Sequence, residues 1–288
     1  MTSAATTSTL EVVPLTPHIG AEMRGLDMTQ PLGDEDIAAI NAAFLQHSVI
    51  VFRGQKLSQE DLLRVTSYFG PIGHMRRPPK YFPPGFDKIL PNIMLISNIR
   101  ENGEPIGALP DGEMMFHHDM IHSANPDAAT MLYSVEIPSH GGDTLFASGY
   151  AAWDTLDPAL RAKVDGKRAK HFYNYGSVQK GDGKGTEAFG ESHHPIVRTH
   201  DQSLRKALYV NRLMTTGIEG MADEEAAPIL EAIFDHMEKP EFVYAHKWQV
   251  GDVLLWDNRC SSHARTDFPS TERRLMLRTT VECDKPPF

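Results

Sequence analysis

Residues 241–282 read EFVYAHKWQVGDVLLWDNRCSSHARTDFPSTERRLMLRTTVE and carry the clearest fold signal of the chain. It contains three short apolar segments, EFVYAHKW, GDVLLWDN and RRLMLRTTVE, separated by polar turns with Gly or Pro. Runs of this length, rich in branched and aromatic residues, predict β-strands. Similar segments recur from residue 128 onward: AATMLYSVEI, GGDTLFAS, KHFYNY, HPIVRTH and KALYV. Many short strands with glycine-rich turns and few helices predict a sandwich or barrel.

Three other segments carry a helical pattern. In PLGDEDIAAINAAFLQHS (31–48), apolar residues recur at helical spacing and Asp34 is the predicted N-cap. SQEDLLRVTSYFG (58–70) has Ser58 as its predicted cap, and DEEAAPILEAIFDHM (223–237) has the same periodicity. The sequence therefore predicts a mainly β fold with flanking helices.

Composition sets limits on the function. The chain has 288 residues, of which 41% are hydrophobic and 23% charged, so a single domain over 1–288 is expected. The formal net charge of −10, without a basic tract, argues against binding nucleic acid. No apolar stretch is long enough to span a membrane, and the N-terminal segment does not resemble a secretory signal. Two cysteines are too few for a disulfide framework, so we predict a cytoplasmic protein.

Two segments are predicted to be active-site loops. Residues 71–116 include a long Pro-rich connection with an apolar insert, IMLISNI. A long irregular segment inside a compact domain is typical of a functional lid or of disorder. Residues 176–193 fall within GSVQKGDGKGTEAFGESHH, which is glycine-rich and polar and indicates a mobile loop.

The string FHHDM contains His117, His118 and Asp119. On an extended chain, residues two apart point to the same face, so His117 and Asp119 can bind one metal ion while His118 faces away. On a helix the two side chains would diverge, because helical neighbours are three or four residues apart. Since the chain has 14 histidines, a chance HxD spacing is unremarkable, and a surface His–Asp pair is the alternative interpretation.

His263, just after the apolar strand in VLLWDNRCSSHART, is the predicted third ligand. Two imidazoles and one carboxylate leave three adjacent positions on the metal open, which is the arrangement of non-haem iron(II) oxygenases. Such an ion can bind a bidentate co-substrate and then dioxygen, whereas zinc usually prefers a four-coordinate site. We call His117, Asp119 and His263 the metal triad. Cys260 is interpreted as a packed thiol.

Arg274 and Arg278 are four residues apart in the last predicted strand, so both side chains leave from one face. An arginine directed into a barrel is costly unless it meets an anion, and a dicarboxylate reaching from the metal would supply one. A solvated arginine pair on an edge strand is the alternative. Thr144, in GGDTLFAS, can add a hydroxyl hydrogen bond to the same carboxylate, or simply pack or cap.

Taken together, FHHD, GGDTLFAS, HHPIVRTH, KALYVN, FVYAHKWQVGDVLLWDNRCSSHA and RRLMLRTT resemble the taurine dioxygenase and 2,4-dichlorophenoxyacetate dioxygenase family of iron(II)/2-oxoglutarate oxygenases. The N-terminal GAEMRGLDMTQPL and HSVIVFRGQ also resemble this family, so the resemblance covers nearly the whole chain. It implies a double-stranded β-helix, or jelly roll. It further implies that the metal triad binds Fe(II), that Thr144 and Arg274 bind 2-oxoglutarate, and that Arg278 binds the substrate, as the matching arginine holds the sulfonate in the taurine enzyme.

The chain departs from the taurine enzyme around the predicted substrate site. Phe116 stands where a Trp is usual, and Glu113 stands where the taurine enzyme has Asn. The segment HMRRPPKYF replaces a His and a Tyr of that enzyme. We therefore predict a substrate other than taurine, with Glu113 and Tyr81 as further substrate contacts. The apolar Met114 and Tyr81 indicate a larger or aromatic substrate, with core packing as the alternative.

The predicted function is thus a 2-oxoglutarate-dependent dioxygenase that uses Fe(II) and O2, hydroxylates a small organic anion, and releases succinate and CO2. The anion would be a sulfonate, a sulfate ester or a carboxylate, aromatic ones included. Two other classes stay open: a zinc- or manganese-dependent hydrolase or isomerase on the same barrel, and a non-catalytic small-molecule-binding relative. The resemblance also implies a homo-oligomer, a dimer or a tetramer.

Overall fold

The computed structural model describes residues 10–74, 89–108, 112–174 and 188–288, and strands outnumber helices in it. The strands are β1 (Glu11–Pro14), β2 (Ala21–Arg24), β3 (Val49–Phe52), β4 (Met94–Ser97), β5 (Arg100–Glu101), β6 (Glu104–Pro105), β7 (Met114–His117), β8 (Ala129–Glu136), β9 (Thr144–Ser148), β10 (Arg168–Asn174), β11 (Ala188–Pro195), β12 (Val197–Thr199), β13 (Lys206–Leu208), β14 (Thr215–Ile218), β15 (Val243–His246), β16 (Val253–Asp257), β17 (Ser261–Arg265) and β18 (Leu275–Val281). The helices are α1 (Asp34–His47), α2 (Gln59–Ser67), α3 (Gly149–Thr155), α4 (Pro158–Val164) and α5 (Asp223–Met237). The prediction of a mainly β chain with helices is confirmed.

Two sheets dominate the architecture. The larger has the strand order β1-β2-β3-β16-β8-β18-β4, antiparallel except for the β2–β3 pair. The smaller has the order β15-β9-β17-β7 and is antiparallel throughout. Further, β11-β10-β14, β12-β13 and β5-β6 form small sheets of three, two and two strands. Apart from β1, β2 and β3, neighbouring strands in both main sheets are distant in sequence, so long-range pairing holds most of the fold together.

Strict alternation along the strands of the larger sheet sends side chains to two different cores. In β16, Leu254 and Trp256 point toward the smaller sheet, where they pack with Phe146 of β9 and Met276 of β18. Their neighbours in β16, together with Phe52 of β3, pack instead under the helices α1 and α2. The larger sheet is therefore covered by the smaller sheet on one face and by helices on the other. The predicted metal ligands lie on the face between the sheets.

The predicted helices are present, with one capping prediction wrong. Helix α2 begins as expected, since the Ser58 hydroxyl accepts a hydrogen bond from the Asp61 N–H at 3.0 Å and the Asp61 side chain accepts one from the Ser58 N–H. Helix α1 has Gly33 rather than Asp34 as its N-cap, with no side-chain cap bond. Asp34 is instead the first helical residue, where its charge still favours the positive end of the helix dipole.

The structure also corrects the two predicted loops. Within 71–116, the apolar insert contributes β4, which pairs with β18 at the edge of the larger sheet. Residues 114–116 belong to β7. Within 176–193, residues 188–193 are part of strand β11 and pair with β10, so they are not a loop. The remainder of that segment, and residues 75–88 and 109–111, lie outside the described residues.

No helix in the part of the chain described here combines the length and the apolar character that crossing a bilayer requires.

Candidate metal centre and co-substrate pocket

Strand pairing brings the two histidines of the metal triad together. Strand β17 runs antiparallel to β7, and in this register His263 lies directly opposite His117. Opposite residues on one face of a sheet are close neighbours, and the two imidazole centroids are 4.0 Å apart. Asp119 lies in the turn after β7, next to Met120 with its positive φ of 57°. One ligand atom from each member of the triad lies within 4.8 Å of the other two.

Both imidazoles are held in the neutral form that binds a metal. Burial lowers the pKa of His117. Burial, with the repulsion that two protonated imidazoles would feel at this distance, lowers the pKa of His263 well below its usual value. The His117 Nδ1 lies 3.0 Å from the Met115 carbonyl oxygen, which can only accept a hydrogen bond. The proton of His117 is therefore on Nδ1, and the Nε2 lone pair is left for a ligand.

The carboxylate of Asp119 is held ionised by its neighbours. Burial alone would raise its pKa, but the positive charge of Arg278 and the hydrogen bond from Thr130 lower it. The Oδ2 atom accepts a hydrogen bond from the Thr130 hydroxyl at 2.7 Å and forms an ion pair with the Arg278 guanidinium at 3.0 Å. Two neutral imidazoles and one carboxylate are a donor set that fits a divalent metal ion with open positions.

His118 faces away from the triad, as the alternation of an extended chain predicts. Its Nδ1 accepts a hydrogen bond from the Asn211 side-chain amide at 3.2 Å, and its ring centroid lies 4.7 Å from that of Tyr209.

Arg274 is a buried cation without an anion. It lies one residue before β18 and is 2% exposed, and its backbone N–H donates to the Asn98 side chain at 2.9 Å. Within the described residues, its guanidinium has no hydrogen bond or ion pair with the protein, and its Nε is buried without a partner. Burial, with the nearby charge of Arg265, lowers the pKa of Arg274 to about 9. A guanidinium this deeply buried is costly unless an anion joins it.

Thr144 is presented to the same cavity in a defined orientation. It is 4% exposed, and its hydroxyl oxygen accepts a hydrogen bond from the Trp248 indole N–H at 3.0 Å. Because that lone pair is occupied by a donor, the hydroxyl hydrogen is available to donate to a ligand. Arg265 lies opposite Thr144 across the β17–β9 pair and also lines the cavity.

A single cavity of about 610 Å³ joins these groups. The metal triad, Thr144, Arg274 and Arg278 all line it, so the structure brings six of the predicted site residues together. Much of the remaining wall is apolar, from Met94, Ile96, Met114, Met120, Leu132, Tyr173 and Met214.

Glu113 is exposed and is not one of the lining residues, so the structure does not bring it to the site as predicted. Tyr81 lies outside the described residues.

Sequence reasoning missed four polar residues of the site. Arg265 carried a usable signal, because it is two residues beyond His263 on the same strand and so shares its face. No spacing pattern in the sequence marks Trp248, Thr130 and Asn258, since each reaches the site through a hydrogen bond to another side chain.

A second group of candidate ligand atoms belongs to His200, Asp257 and Cys260, within 4.8 Å of one another. These atoms are already in use. Both oxygens of Asp257 accept hydrogen bonds from Arg259, at 2.9 and 2.7 Å, and one also accepts from the His200 Nε2 at 3.0 Å. The His200 Nδ1 accepts two backbone N–H groups. Burial raises the pKa of the Cys260 thiol to about 12. This group is a buried hydrogen-bonded network, and Cys260 is the packed thiol that was predicted.

A mainly β fold that carries two neutral histidines, one carboxylate and a buried arginine without a counter-ion has the features of the metal-dependent oxygenase class. The particular family follows from comparison with known proteins. Residues 11–280 match the family described as "Taurine catabolism dioxygenase TauD, TfdA family", and the chain belongs to this family. The resemblance inferred from the sequence is confirmed.

Three similar proteins indicate the breadth of the family. The α-ketoglutarate-dependent 2,4-dichlorophenoxyacetate dioxygenase of Cupriavidus pinatubonensis is 31% identical over 278 residues, covering 93% of this chain and 96% of the relative. The α-ketoglutarate-dependent sulfate ester dioxygenase of Pseudomonas putida is 28% identical over 292 residues, covering 96% and 91%. A crystal structure of a taurine dioxygenase from Burkholderia xenovorans is 32% identical, with a TM-score of 0.79, covering 96% of this chain and 92% of that one.

Proposed function

We propose that this protein is an iron(II)-dependent dioxygenase that uses 2-oxoglutarate, another name for α-ketoglutarate, and hydroxylates a small organic anion. Its membership of a dioxygenase family, with relatives named as α-ketoglutarate-dependent dioxygenases, confirms the predicted enzyme class. The observation that carries the proposal is the buried guanidinium of Arg274, without a protein anion, in the same cavity as the metal triad.

The co-substrate would be held at its two ends. The metal triad would bind iron(II), and Arg274 and Thr144 would bind the distal carboxylate through charge-assisted hydrogen bonds. When bound, the metal and the keto acid supply oxidative decarboxylation by O2, with succinate and CO2 as products and one oxygen atom transferred to a substrate C–H bond. The protein orients both molecules and keeps water out of an otherwise apolar cavity.

Arg278 would anchor the substrate anion. It lines the cavity, its side chain is 17% exposed, and one of its terminal nitrogens already contacts Asp119. Its Nε is buried and has no partner among the described residues. An anion bound there would lie next to the metal triad, and the apolar wall would contact the rest of the molecule. We therefore propose a sulfonate, sulfate ester or carboxylate with an apolar or aromatic body.

Several features of the whole chain belong to this proposal. We take the two facing sheets to be a double-stranded β-helix, supported by the core that they share and by the likeness to the taurine dioxygenase structure. Residues 71–116 would form part of the active-site wall, because Gly73, Asn92, Met94, Arg100 and Met114 line the cavity. A single domain, a dimer or tetramer, and a cytoplasmic location remain predictions. Both cysteines are free and buried, which agrees with the last of these.

The test is succinate release by protein reconstituted with iron(II), screened against sulfonates, alkyl sulfates, aryloxyalkanoates and other carboxylates. We expect at least one anion class to stimulate release, with a strict need for O2 and 2-oxoglutarate. His117→Ala should abolish release while circular dichroism shows an unchanged fold, and full turnover by that variant would refute the assignment. Turnover without O2 and 2-oxoglutarate would instead favour a zinc or manganese hydrolase or isomerase. Ligand binding without any turnover would favour a non-catalytic relative.

A further inference from the structure

We infer that three buried residues, Thr130, Asn258 and Trp256, act as a positioning relay that holds the Asp119 carboxylate in a fixed orientation beside the other two metal ligands. This inference rests on the proposed function, because it takes the metal triad to be the site of the ion. It adds residues that do not themselves touch the metal, the co-substrate or the substrate's anionic group.

The relay is a continuous chain of hydrogen bonds. The Trp256 indole N–H lies 2.9 Å from the Asn258 Oδ1, and the Asn258 Nδ2 lies 2.9 Å from the Thr130 Oγ1. The Thr130 Oγ1 in turn lies 2.7 Å from the Asp119 Oδ2. The three relay residues are at most 2% exposed, so water does not compete for these bonds.

The chemistry of the tryptophan end fixes the direction of every bond. An indole N–H can only donate, so the Asn258 atom that faces it must be the carbonyl oxygen. The Asn258 amide nitrogen therefore faces Thr130 and donates to its oxygen. With that lone pair occupied, the Thr130 hydroxyl hydrogen is directed to Asp119. A carboxylate oxygen accepts it, and the chain ends there in an ionised acceptor.

The consequence is that the two oxygens of Asp119 are unequal. Oδ2 accepts the hydrogen bond from Thr130, forms an ion pair with Arg278 at 3.0 Å and lies 4.0 Å from the His263 Nε2, whereas no donor of the described residues reaches Oδ1. Oδ2 is thus the oxygen that the relay fixes beside the His263 imidazole, and loss of the Thr130 bond would free the carboxylate to rotate.

The relay also joins the two main sheets at the triad. Thr130 of β8 lies opposite Trp256 of β16 in the larger sheet, and Asn258 directly follows β16. The indole ring of Trp256 packs on the His263 ring with a centroid distance of 4.7 Å. The Nδ1 of His263 has no hydrogen-bond partner among the described residues, so ring packing, by Trp256 together with Phe146, is what orients that imidazole. One tryptophan thereby contributes to positioning two ligands, His263 on β17 and Asp119 in the turn after β7.

The decisive experiment measures metal binding rather than turnover. Thr130→Val removes the hydroxyl at nearly constant shape, and Thr130→Ser keeps it. We expect Thr130→Val to weaken Mn(II) binding, followed by electron paramagnetic resonance, about 10- to 100-fold, the range typical of lost partners of metal ligands. The d–d absorption of bound Co(II) should also change, because its intensity and position report coordination number. Thr130→Ser should stay within about twofold of wild type in Mn(II) affinity, since it retains the bond.

Thr66→Val is the matched control. Thr66 is also fully buried and hydrogen-bonded, to the Leu62 carbonyl and to Thr279, but it lies on helix α2 and does not line the cavity. The Thr66→Val substitution should lower the melting temperature of the protein without changing its Mn(II) affinity or the spectrum of bound Co(II). Equal effects of Thr66→Val and Thr130→Val on Mn(II) affinity would overturn the relay.

A double-mutant cycle tests the order of the relay. Asn258→Leu should weaken Mn(II) binding in wild type but add little in the Thr130→Val background, because it acts through Thr130. Full additivity of the two effects would contradict the relay. If wild type and His117→Ala bind Mn(II) equally weakly, the proposed metal centre itself is wrong and the relay falls with it. If wild type binds tightly and Thr130→Val does as well, the relay alone is wrong.

Discussion

At the scale of single residues, Arg274 has opposite effects on stability in the free and the co-substrate-bound protein. Without an anion, its buried charge opposes folding, because desolvation is not offset by a partner. With a carboxylate bound, each charge-assisted hydrogen bond contributes about 1.5–3 kcal/mol. Arg274→Met should therefore melt at or above the wild-type temperature when no ligand is present. Added 2-oxoglutarate should raise the melting temperature of the metal-loaded wild type and leave that of the variant unchanged.

The adjacent arginine is the matched control for this prediction. Arg273 is exposed and pairs with Glu136 on the surface, at 2.7 Å. Arg273→Met should respond to 2-oxoglutarate as wild type does, since exposed pairs contribute little. A normal thermal shift in Arg274→Met would remove Arg274 from the co-substrate site.

A second prediction at this scale concerns Trp248. Its indole N–H occupies a lone pair of the Thr144 hydroxyl and so leaves the hydroxyl hydrogen for the ligand. Trp248→Phe keeps most of the ring and removes this donor, which frees Thr144 to rotate. We expect the KM for 2-oxoglutarate to rise about threefold to tenfold, the equivalent of one neutral hydrogen bond, with kcat nearly unchanged.

Trp153 provides the control for that substitution, because it is similarly buried but belongs to a different core cluster. Trp153→Phe should leave the KM unchanged. A fall in kcat without a change in KM for Trp248→Phe would contradict an orienting role for this indole.

The sequence predicts a site residue when its position follows from spacing along one strand. It does not predict a residue whose position depends on the pairing of distant strands. Alternation along a strand is visible in sequence, so the spacing of His117 and Asp119 and that of Arg274 and Arg278 could be interpreted before the structure was known. The pairing of His117 with His263 depends on the register of two strands that are far apart in the chain. That register is set by packing and not by any local signal, and the resemblance to a family supplied it instead.

The helices and strands divide in the same way: long periodic helices can be predicted from the sequence, and short elements cannot. Helix α5 lies at the predicted residues because fifteen residues carry a continuous apolar face. Helices α3 and α4 were missed, since each has seven residues, too few for a periodic pattern. Strand β4 was placed in a loop because prolines surround it, and only pairing with β18 makes it a strand. Tertiary context decides such short elements.

The junction between β9 and α3 carries a prediction at the element scale. Gly149 begins α3, and a Cβ added there would lie 2.7 Å from the Leu208 carbonyl oxygen and 2.8 Å from that of Cys260. Both neighbours are backbone, and the Gly149 N–H donates to the latter at 2.8 Å, so neither can move freely. Gly149→Ala should lower the free energy of unfolding by about 1–3 kcal/mol, measured by urea denaturation.

Gly33 is the control, because nothing lies within 4 Å of an added Cβ at this N-cap. Gly33→Ala meets no steric clash and should cost no more than about 1 kcal/mol, since Ala is only a poorer N-cap than Gly. Equal stability of Gly149→Ala and wild type would mean that the backbone at this junction yields more easily than the structure indicates.

At the scale of the whole molecule, the charge of the cavity is opposite to that of the protein. The chain has a formal net charge of −10. Among the described residues that line the cavity, Arg100, Arg265, Arg274 and Arg278 face only two carboxylates, Asp119 and Asp127. This local excess of positive charge increases further when a divalent ion binds. A dianionic keto acid offsets two charges, so the loaded site still favours a negatively charged substrate.

The excess of positive charge in the cavity predicts that substrates are selected by their negative charge more than by their shape. For whichever anion the turnover screen identifies, the methyl ester or the amide of the same body should stimulate succinate release at least about tenfold less, because it cannot form the ion pair with the partly buried Arg278 guanidinium. Arg278→Met should narrow this preference by lowering kcat/KM for the anion more than for the ester. Arg100→Met, at the exposed rim, should change both substrates equally and only slightly, since solvent screens its charge. If Arg278→Met leaves the ratio of the two kcat/KM values intact, the anion is recognised elsewhere in the cavity, and Arg265 becomes the next guanidinium to test.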